Sequence, residues 1–238
     1  MRWQLALLCA LATATPASAV TMSFDFGNNA RLTNLSGWND VFHASGSPTD
    51  TLFVVVDENG NAVPGVTLVE TDPFYIVGQP SQGGSESPSG AAAGFPVDAT
   101  DDYYFGHTGA FGGGDDNPTG GFKLTGLDQN LAYDFTFFSS RTGVNDNRET
   151  AFSVTGANVG SGVIATSNND SEVLSLNGIT PDGNSEISIA VMAGPNNDNG
   201  NGFYYINLMQ VSTAIPEPTT GLLLALAGGF AAFGRRRR

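Results

Sequence analysis

The sequence predicts an all-β protein: an antiparallel β-sandwich, jelly-roll-like, set between two short apolar end segments. Three observations carry this. Apolar side chains recur with period two in roughly ten short segments, the spacing that puts every second residue on one face of a strand. Clusters of Gly, Asn and Asp separate those segments, and 31 glycines in 238 residues are about twice the usual share of roughly 7%. Between the ends, no stretch has the 3.6-residue apolar spacing of an amphipathic helix. With 40% hydrophobic residues, including 16 Phe and 6 Tyr, the chain has material for a core, which excludes wholesale disorder. Its 23 acidic and 9 basic side chains give a formal charge of -14, which excludes nucleic acid as a partner because phosphate binding needs clustered Lys and Arg.

The N-terminus has a basic start, Met1-Arg2-Trp3-Gln4, a largely apolar run from Leu5 to Ala14, and Ala17-Ser18-Ala19. This predicts a signal peptide over residues 1–19, cleaved after Ala19. The run is too short to cross about 30 Å of hydrocarbon. Cys9, the only cysteine, lies within it, and Ala6-Leu7-Leu8 lacks the small residues that precede a lipidated cysteine. After cleavage the chain has no disulfide, thiolate or cysteine-metal chemistry.

Residues 20–215 carry the predicted sandwich. Thr51 to Val56 is a β-branched run ending at Asp57-Glu58-Asn59-Gly60-Asn61, where Asn-Gly signals a hairpin, and Val66 and Leu68 resume the alternation. Residues 78–94 are rich in Gly, Ser, Pro and Ala and too poor in large apolar groups to fold as a unit. They read as a long mobile loop inside one sandwich, since the roughly 58 residues before them are thin for a domain. Tyr133, Phe135 and Phe137 share one face of a strand, opposite Asp134, Thr136 and Phe138. Ile187, Ile189 and Val191 alternate with Ser188 and Ala190, and Phe203 to Val211 closes the domain as one aromatic strand.

The C-terminus reads Pro216-Glu217-Pro218, an apolar stretch from Gly221 to Gly234, then Arg235, Arg236, Arg237 and Arg238. Residues 216–238 resemble the PEP-CTERM sorting segment of exported bacterial proteins, with a short apolar helix as its central part. The physics agrees. Terminal arginines resist translocation, the apolar stretch stalls in the bilayer, and two prolines keep the signature out of a helix and open to a protease. The resemblance implies an exosortase-type transpeptidase as partner and transient contact with the inner membrane of a Gram-negative bacterium. It also implies delivery to the cell surface or extracellular matrix and association with exopolysaccharide. Similar tails are also labelled ice-binding protein C-terminal domains, a label that concerns the tail and implies no ice binding. A plain membrane anchor is the bland alternative, under which Pro-Glu-Pro at this spacing is coincidence.

Within the domain, Phe24-Asp25-Phe26-Gly27, Gly37-Trp38-Asn39-Asp40-Val41, Thr125-Gly126-Leu127-Asp128, the run Tyr133 to Arg141, Asp146 to Thr150, and Gly202 to Asn207 resemble a module recurrent in PEP-CTERM and other secreted bacterial proteins. Similar sandwiches include carbohydrate-binding modules with a galactose-binding-like fold. The resemblance implies a non-catalytic carbohydrate-binding role. A structural matrix or adhesion protein without a sugar site is the alternative, and a cryptic polysaccharide hydrolase is less favoured.

No catalytic set stands out, and the protein is expected not to be an enzyme. His43 and His107 are the only histidines, and neither H-E-x-x-H nor G-x-S-x-G occurs. Spacing selects no Ser-His-Asp triad and no carboxylate pair. The metal candidates are Asp98, Asp101 and Asp102, before Tyr103, and Asp115 and Asp116 in a Gly-rich loop. Hard oxygen ligands suit Ca²⁺, and a cation relieves like-charge repulsion; solvated turns are the simpler reading. The run Asn196 to Asn201 lacks the leading Asp and closing Glu of an EF-hand loop and reads as a turn. Arg141 and Arg148 bracket a hairpin tip. They are expected either to meet sugar hydroxyls and acidic sugars or, the favoured reading in so acidic a domain, to pair with Glu149, Asp146 or other carboxylates. Trp38, Tyr103 and Tyr104, with Tyr75 as a weaker candidate, are the rings expected to stack on sugar, against the core role most sandwich aromatics have.

Removing the ends sharpens the charge. Five of the nine basic residues lie there, leaving Arg31, Lys123, Arg141 and Arg148, and only Glu217 of the 23 acids is lost. Residues 20–215 therefore carry four bases and 22 acids, a charge of -18, which disfavours anionic membrane surfaces and favours cations as partners.

Overall fold

Alternating apolar residues form the two faces of a sandwich in the computed structural model, which describes residues 19–27, 32–42, 51–52, 54–75, 83–109, 111 and 117–213. Residues 1–18, His43, Asp115, Asp116 and the whole of 216–238 lie outside the described residues. In chain order the strands are β1 (Thr21–Gly27), β2 (Trp38–Phe42), β3 (Thr51–Leu52), β4 (Thr67–Asp72), β5 (Tyr104–Gly106), β6 (Thr119–Thr125), β7 (Tyr133–Phe138), β8 (Thr150–Thr155), β9 (Val159–Ile164), β10 (Leu174–Ile179), β11 (Ile187–Ala193), β12 (Tyr204–Ile206) and β13 (Leu208–Thr213). A 3-10 turn (Gly90–Ala92) and one short helix, α1 (Val97–Thr100), precede β5.

The strands form a five-stranded sheet, β10-β7-β13-β1-β2, and a six-stranded sheet, β3-β4-β6-β11-β8-β9, with β12 and β5 as a separate two-stranded ribbon. Every strand pair is antiparallel except β1–β2. The chain changes sheet between β6 and β7, β7 and β8, β9 and β10, and β10 and β11, the jelly-roll-like alternation the sequence predicts.

The core lies between the two sheets. From the five-stranded sheet it takes Met22, Phe24 and Phe26 of β1, Phe135 and Phe137 of β7, and Met209 and Val211 of β13. The facing sheet supplies Leu68, Phe122, Leu124, Phe152, Val154, Ile187, Ile189 and Val191. Phe137 stacks on Phe152 across the gap with ring centroids 4.4 Å apart. The predicted alternation of β7 and β11 holds, with one addition: Phe138, on the far side of β7, is also buried, because Ala92, Ala99 and Leu208 form a second cluster there.

Three predicted segments differ from the structure. Among the described residues of the run Thr51 to Val56 the structure has β3 and a bridge, Val56 to Ala62, around a turn closed by Gly60 N–H donating to Asp57 O (2.8 Å). Phe203 to Val211 splits into β12 and β13, because Asn207 turns the chain from the ribbon into the sheet. Its Nδ2 donates to Thr100 O (2.9 Å) and Asp102 O (2.7 Å), and its Oδ1 accepts from Ser140 N–H (2.7 Å). Where composition predicts a mobile loop, residues 83–94 are tied to the body of the domain. Gly84 and Ser85 donate to Asp101 O and Thr100 O, Ser89 and Ala91 donate to Asp170 O and Ser171 O, and Ala92 is buried. Backbone carbonyls distant in the chain supply what the side chains lack.

Candidate functional site

The ribbon of β5 and β12 sets up two aromatic layers because successive residues of a strand face opposite ways. In its register Tyr205 opposes Phe105, and Ile206 opposes Tyr104. Tyr104, Tyr204 and Ile206 face the main core, while Tyr103, Phe105, Phe203 and Tyr205 form a separate aromatic cluster on the other side. Gly106 lets the inward layer close, since a Cβ there would stand 2.0 Å from the Tyr204 hydroxyl oxygen. That hydroxyl donates to Asn117 O (2.8 Å). Buried hydroxyls fix the ribbon's backbone: Tyr205 N–H donates to Thr150 Oγ1 (3.0 Å), and Ser139 Oγ donates to Tyr205 O (2.7 Å).

The rings meet mainly edge to face. Tyr103 and Tyr205 are 4.8 Å apart at 82°, and Phe111 and Phe203 are 4.9 Å apart at 82°. His107 and Tyr75 pack behind Phe111, with His107 fully buried. Arg148 lies over the Phe203 ring at 5.1 Å, a cation–π contact. Its Nη1 donates to the Tyr205 hydroxyl (2.6 Å) and its Nε donates to Asp146 Oδ1 (3.0 Å). Asp146 in turn accepts from Asn199 Nδ2, so the Asn-rich turn braces the Asp146–Arg148 pair from outside the cavity lining. Asn147 N–H donating to Asp198 Oδ1 zips the same two loops together. Arg141 is held by its backbone between Thr166 O and Asn168 N–H, and its Nη1 donates to Thr142 O (2.6 Å) and Gly83 O (3.3 Å).

Tyr103, Phe105, Phe111, Phe203, Tyr205, Arg141 and Arg148 line one cavity of about 280 Å³. Burial pushes the Tyr205 phenol up to about 12, against the opposing pull of Arg148. Burial also raises Tyr103, again opposed by the charges of Arg141 and Arg148. Asp146 is held below the usual carboxylate range: partial burial pushes it up, but bonds from Asn199 and Arg148 outweigh that. At neutral pH the cleft thus presents two guanidinium ions and neutral phenols.

Of the residues predicted to touch a ligand, Tyr103, Arg141 and Arg148 converge here. Tyr104 does not; it is a core ring 5.8 Å from Phe26 and 5.6 Å from Phe74. Trp38 packs half-buried against the cluster of Ala92, Ala99, Phe138 and Leu208, apart from the cleft lining. The internal pairing expected of the arginines holds for Arg148 with Asp146. Glu149 pairs with neither; its carboxylate accepts from Asn196 N–H (2.9 Å) and Asn196 Nδ2 (3.1 Å). Sequence reasoning missed Phe105, Phe111, Phe203 and Tyr205. For three of them the signal was available: once Tyr103 is placed outward, period two assigns Phe105 to the same face, and the same rule pairs Phe203 with Tyr205.

Of the predicted calcium ligands, Asp115 and Asp116 lie outside the described residues, and the other three are divided. Asp98 is exposed at the start of α1, while Asp101 and Asp102 are buried beside Asp25 and Asp40, which are cross-strand partners in β1 and β2. Burial above all, then the charges of Asp102, Asp40 and Asp101, raises the Asp25 carboxyl to about 9. Its Oδ2 accepts from Thr33 N–H (3.3 Å), and its buried Oδ1 has no hydrogen-bond partner. Among the described residues no three acidic, His or Cys side chains are grouped to hold a metal ion.

Fold and cleft together define a β-sandwich module with an arginine-bearing cavity whose rings Tyr103, Phe105, Phe203 and Tyr205 are largely buried. Residues 214–238 match the PEP-CTERM protein-sorting motif, so the chain carries an exosortase sorting signal and is an exported protein. No curated protein matches it. Among solved structures it is similar to TmCBM61 in complex with β-1,4-galactotriose, at 15% identity over 47% of this chain and 70% of that chain, with a TM-score of 0.29. It is also similar to the ANXUR1 extracellular domain and the ANX1 ectodomain of Arabidopsis thaliana, each at 10% identity, with TM-scores of 0.35 and 0.34. Those matches cover 70% and 69% of this chain but only 55% and 54% of theirs, so the chain spans about half the length of the plant ectodomains. No helix among the described residues is long and apolar enough to cross a membrane.

Proposed function

We propose that residues 20–215 form a non-catalytic carbohydrate-binding module that meets extracellular polysaccharide at the cell surface after exosortase has processed residues 216–238. One observation carries this reading: five aromatic rings and two guanidinium groups line a single cavity of about 280 Å³. Flat rings take the C–H face of a sugar, while Arg N–H donors fix its hydroxyls, the mix of apolar wall and few polar groups that small-ligand sites use. None of the seven lining residues is a carboxylate, histidine, serine or cysteine, which favours binding over hydrolysis. Retention of the chain on a glycan panel that includes the producer's own exopolysaccharide tests the proposal. Phe203→Ala is expected to weaken retention about tenfold. A wild-type chain retained on no glycan would overturn it and leave the matrix or adhesion role.

A further inference from the structure

The cleft combines its rings with half of the domain's basic side chains. Residues 20–215 hold 22 acids and four bases, and two of those bases line this one cavity. The others are Arg31, outside the described residues, and Lys123, paired with Glu186 at 3.0 Å. Arg148 is compensated, since Asp146 accepts from its Nε. Arg141 is not. Among the described residues no carboxylate pairs with it, and its guanidinium bonds only to the neutral carbonyls of Thr142 and Gly83 through Nη1. A guanidinium has five N–H donors in a planar fork, so Nε and Nη2 remain for a ligand.

The placement is built. A Cβ at Gly83 would stand 2.6 Å from Arg141 Nη1, so the absence of a side chain at 83, where φ is +112°, makes room for the guanidinium. Thr142 N–H and Oγ1 both donate to Gly83 O, at 2.7 and 3.0 Å, and lock that loop in place. Both arginine charges act on the Tyr103 phenol, which places them around the same wall.

We infer that the cleft selects saccharides bearing a carboxylate: a sugar ring lies on the Tyr and Phe faces while its carboxylate takes the open edge of the Arg141 guanidinium in a forked, charge-assisted contact. The inference rests on the carbohydrate-binding reading and narrows it to acidic glycans such as uronate polymers.

The test is calorimetric titration of the full chain with an oligogalacturonate, with the same oligosaccharide after reduction of its carboxyl groups, and with a neutral galactan oligosaccharide. The acidic form is expected to bind, to lose affinity as NaCl is raised, and to bind about tenfold more weakly to Arg141→Gln. Arg141→Lys, which keeps the charge without the fork, should recover only part of that loss. If Arg141→Gln does not fold, the comparison of native with carboxyl-reduced oligosaccharide on the wild-type chain decides the question. Equal binding of acidic and reduced forms, or binding of the neutral oligosaccharide alone, overturns the selectivity while leaving carbohydrate binding intact. Binding of none of the three overturns the selectivity, and absence of binding across the wider glycan panel sinks the carbohydrate reading itself.

Discussion

Asp25 lies on the outer face of β1, 2% exposed, beside Asp40 and beneath the segment carrying Asp101 and Asp102. Its carboxyl titrates near 9 in the folded chain, against about 3.9 for a free aspartate. Between those values the folded state holds a proton that the unfolded state has released, so stability from this group is fully present below pH ~4 and is lost as pH rises through 9. Asp25→Asn keeps an acceptor for Thr33 N–H and adds donors toward the neighbouring carboxylates. Thermal melts should show Tm raised at pH 8 by a few degrees, about 2–4 °C, with a flatter decline between pH 5 and 9. Wild-type stability that instead rises over this range with added Ca²⁺ would mean that a cation, not a proton, relieves the cluster. At the same scale, Tyr103 and Tyr104 show what one residue's position decides. As strand neighbours they cannot both stack on one ligand, and period two, applied to the pair, already separates them. Which of the two faces outward depends on the pairing of β5 with β12, which the local sequence does not contain.

The ribbon of β5 and β12 exists because Asn207 ends it. Its Nδ2 reaches Thr100 O and Asp102 O, 107 and 105 residues away in the chain. Contacts so remote leave no trace in the local pattern, so Phe203 to Val211 reads as one strand although it forms two. Asn207→Ala would take the acceptor from Ser140 N–H and one donor each from Asp102 O and from Thr100 O, which keeps Ser85 N–H, and urea unfolding should register a loss of about 2 kcal/mol. A loss below about 1 kcal/mol would mean that water or a shifted chain takes over those bonds. Elements whose faces are settled within a few residues were legible: β7 and β11 alternate as predicted, and the Arg148–Asp146 pair spans only two positions. Elements settled by distant backbone were not. The segment 83–94 has a loop's composition, yet Thr100, Asp101, Asp170 and Ser171 supply carbonyls to it. The site followed the same division: Arg141, Arg148 and Tyr103 were visible as residue types, whereas Phe111 needed the fold to bring it there.

At the scale of the whole molecule, two distributions of charge have two uses. The arginines of the sorting segment sit at the extreme C-terminus, where they belong to the exosortase signal. The two arginines of the cleft sit in a domain otherwise dominated by acids and line one cavity there. That contrast predicts where a glycan settles. The rings of the cleft and Trp38, the only tryptophan of residues 20–215, occupy separate clusters, so ligand contact can be read independently at each. The most direct measurement is therefore a titration of the chain with a bound glycan followed by aromatic NMR resonances. The account predicts saturable shifts in Tyr103, Phe105, Phe203 and Tyr205 with the Trp38 indole unmoved. Shifts confined to Trp38, with the cleft rings unchanged, would contradict it.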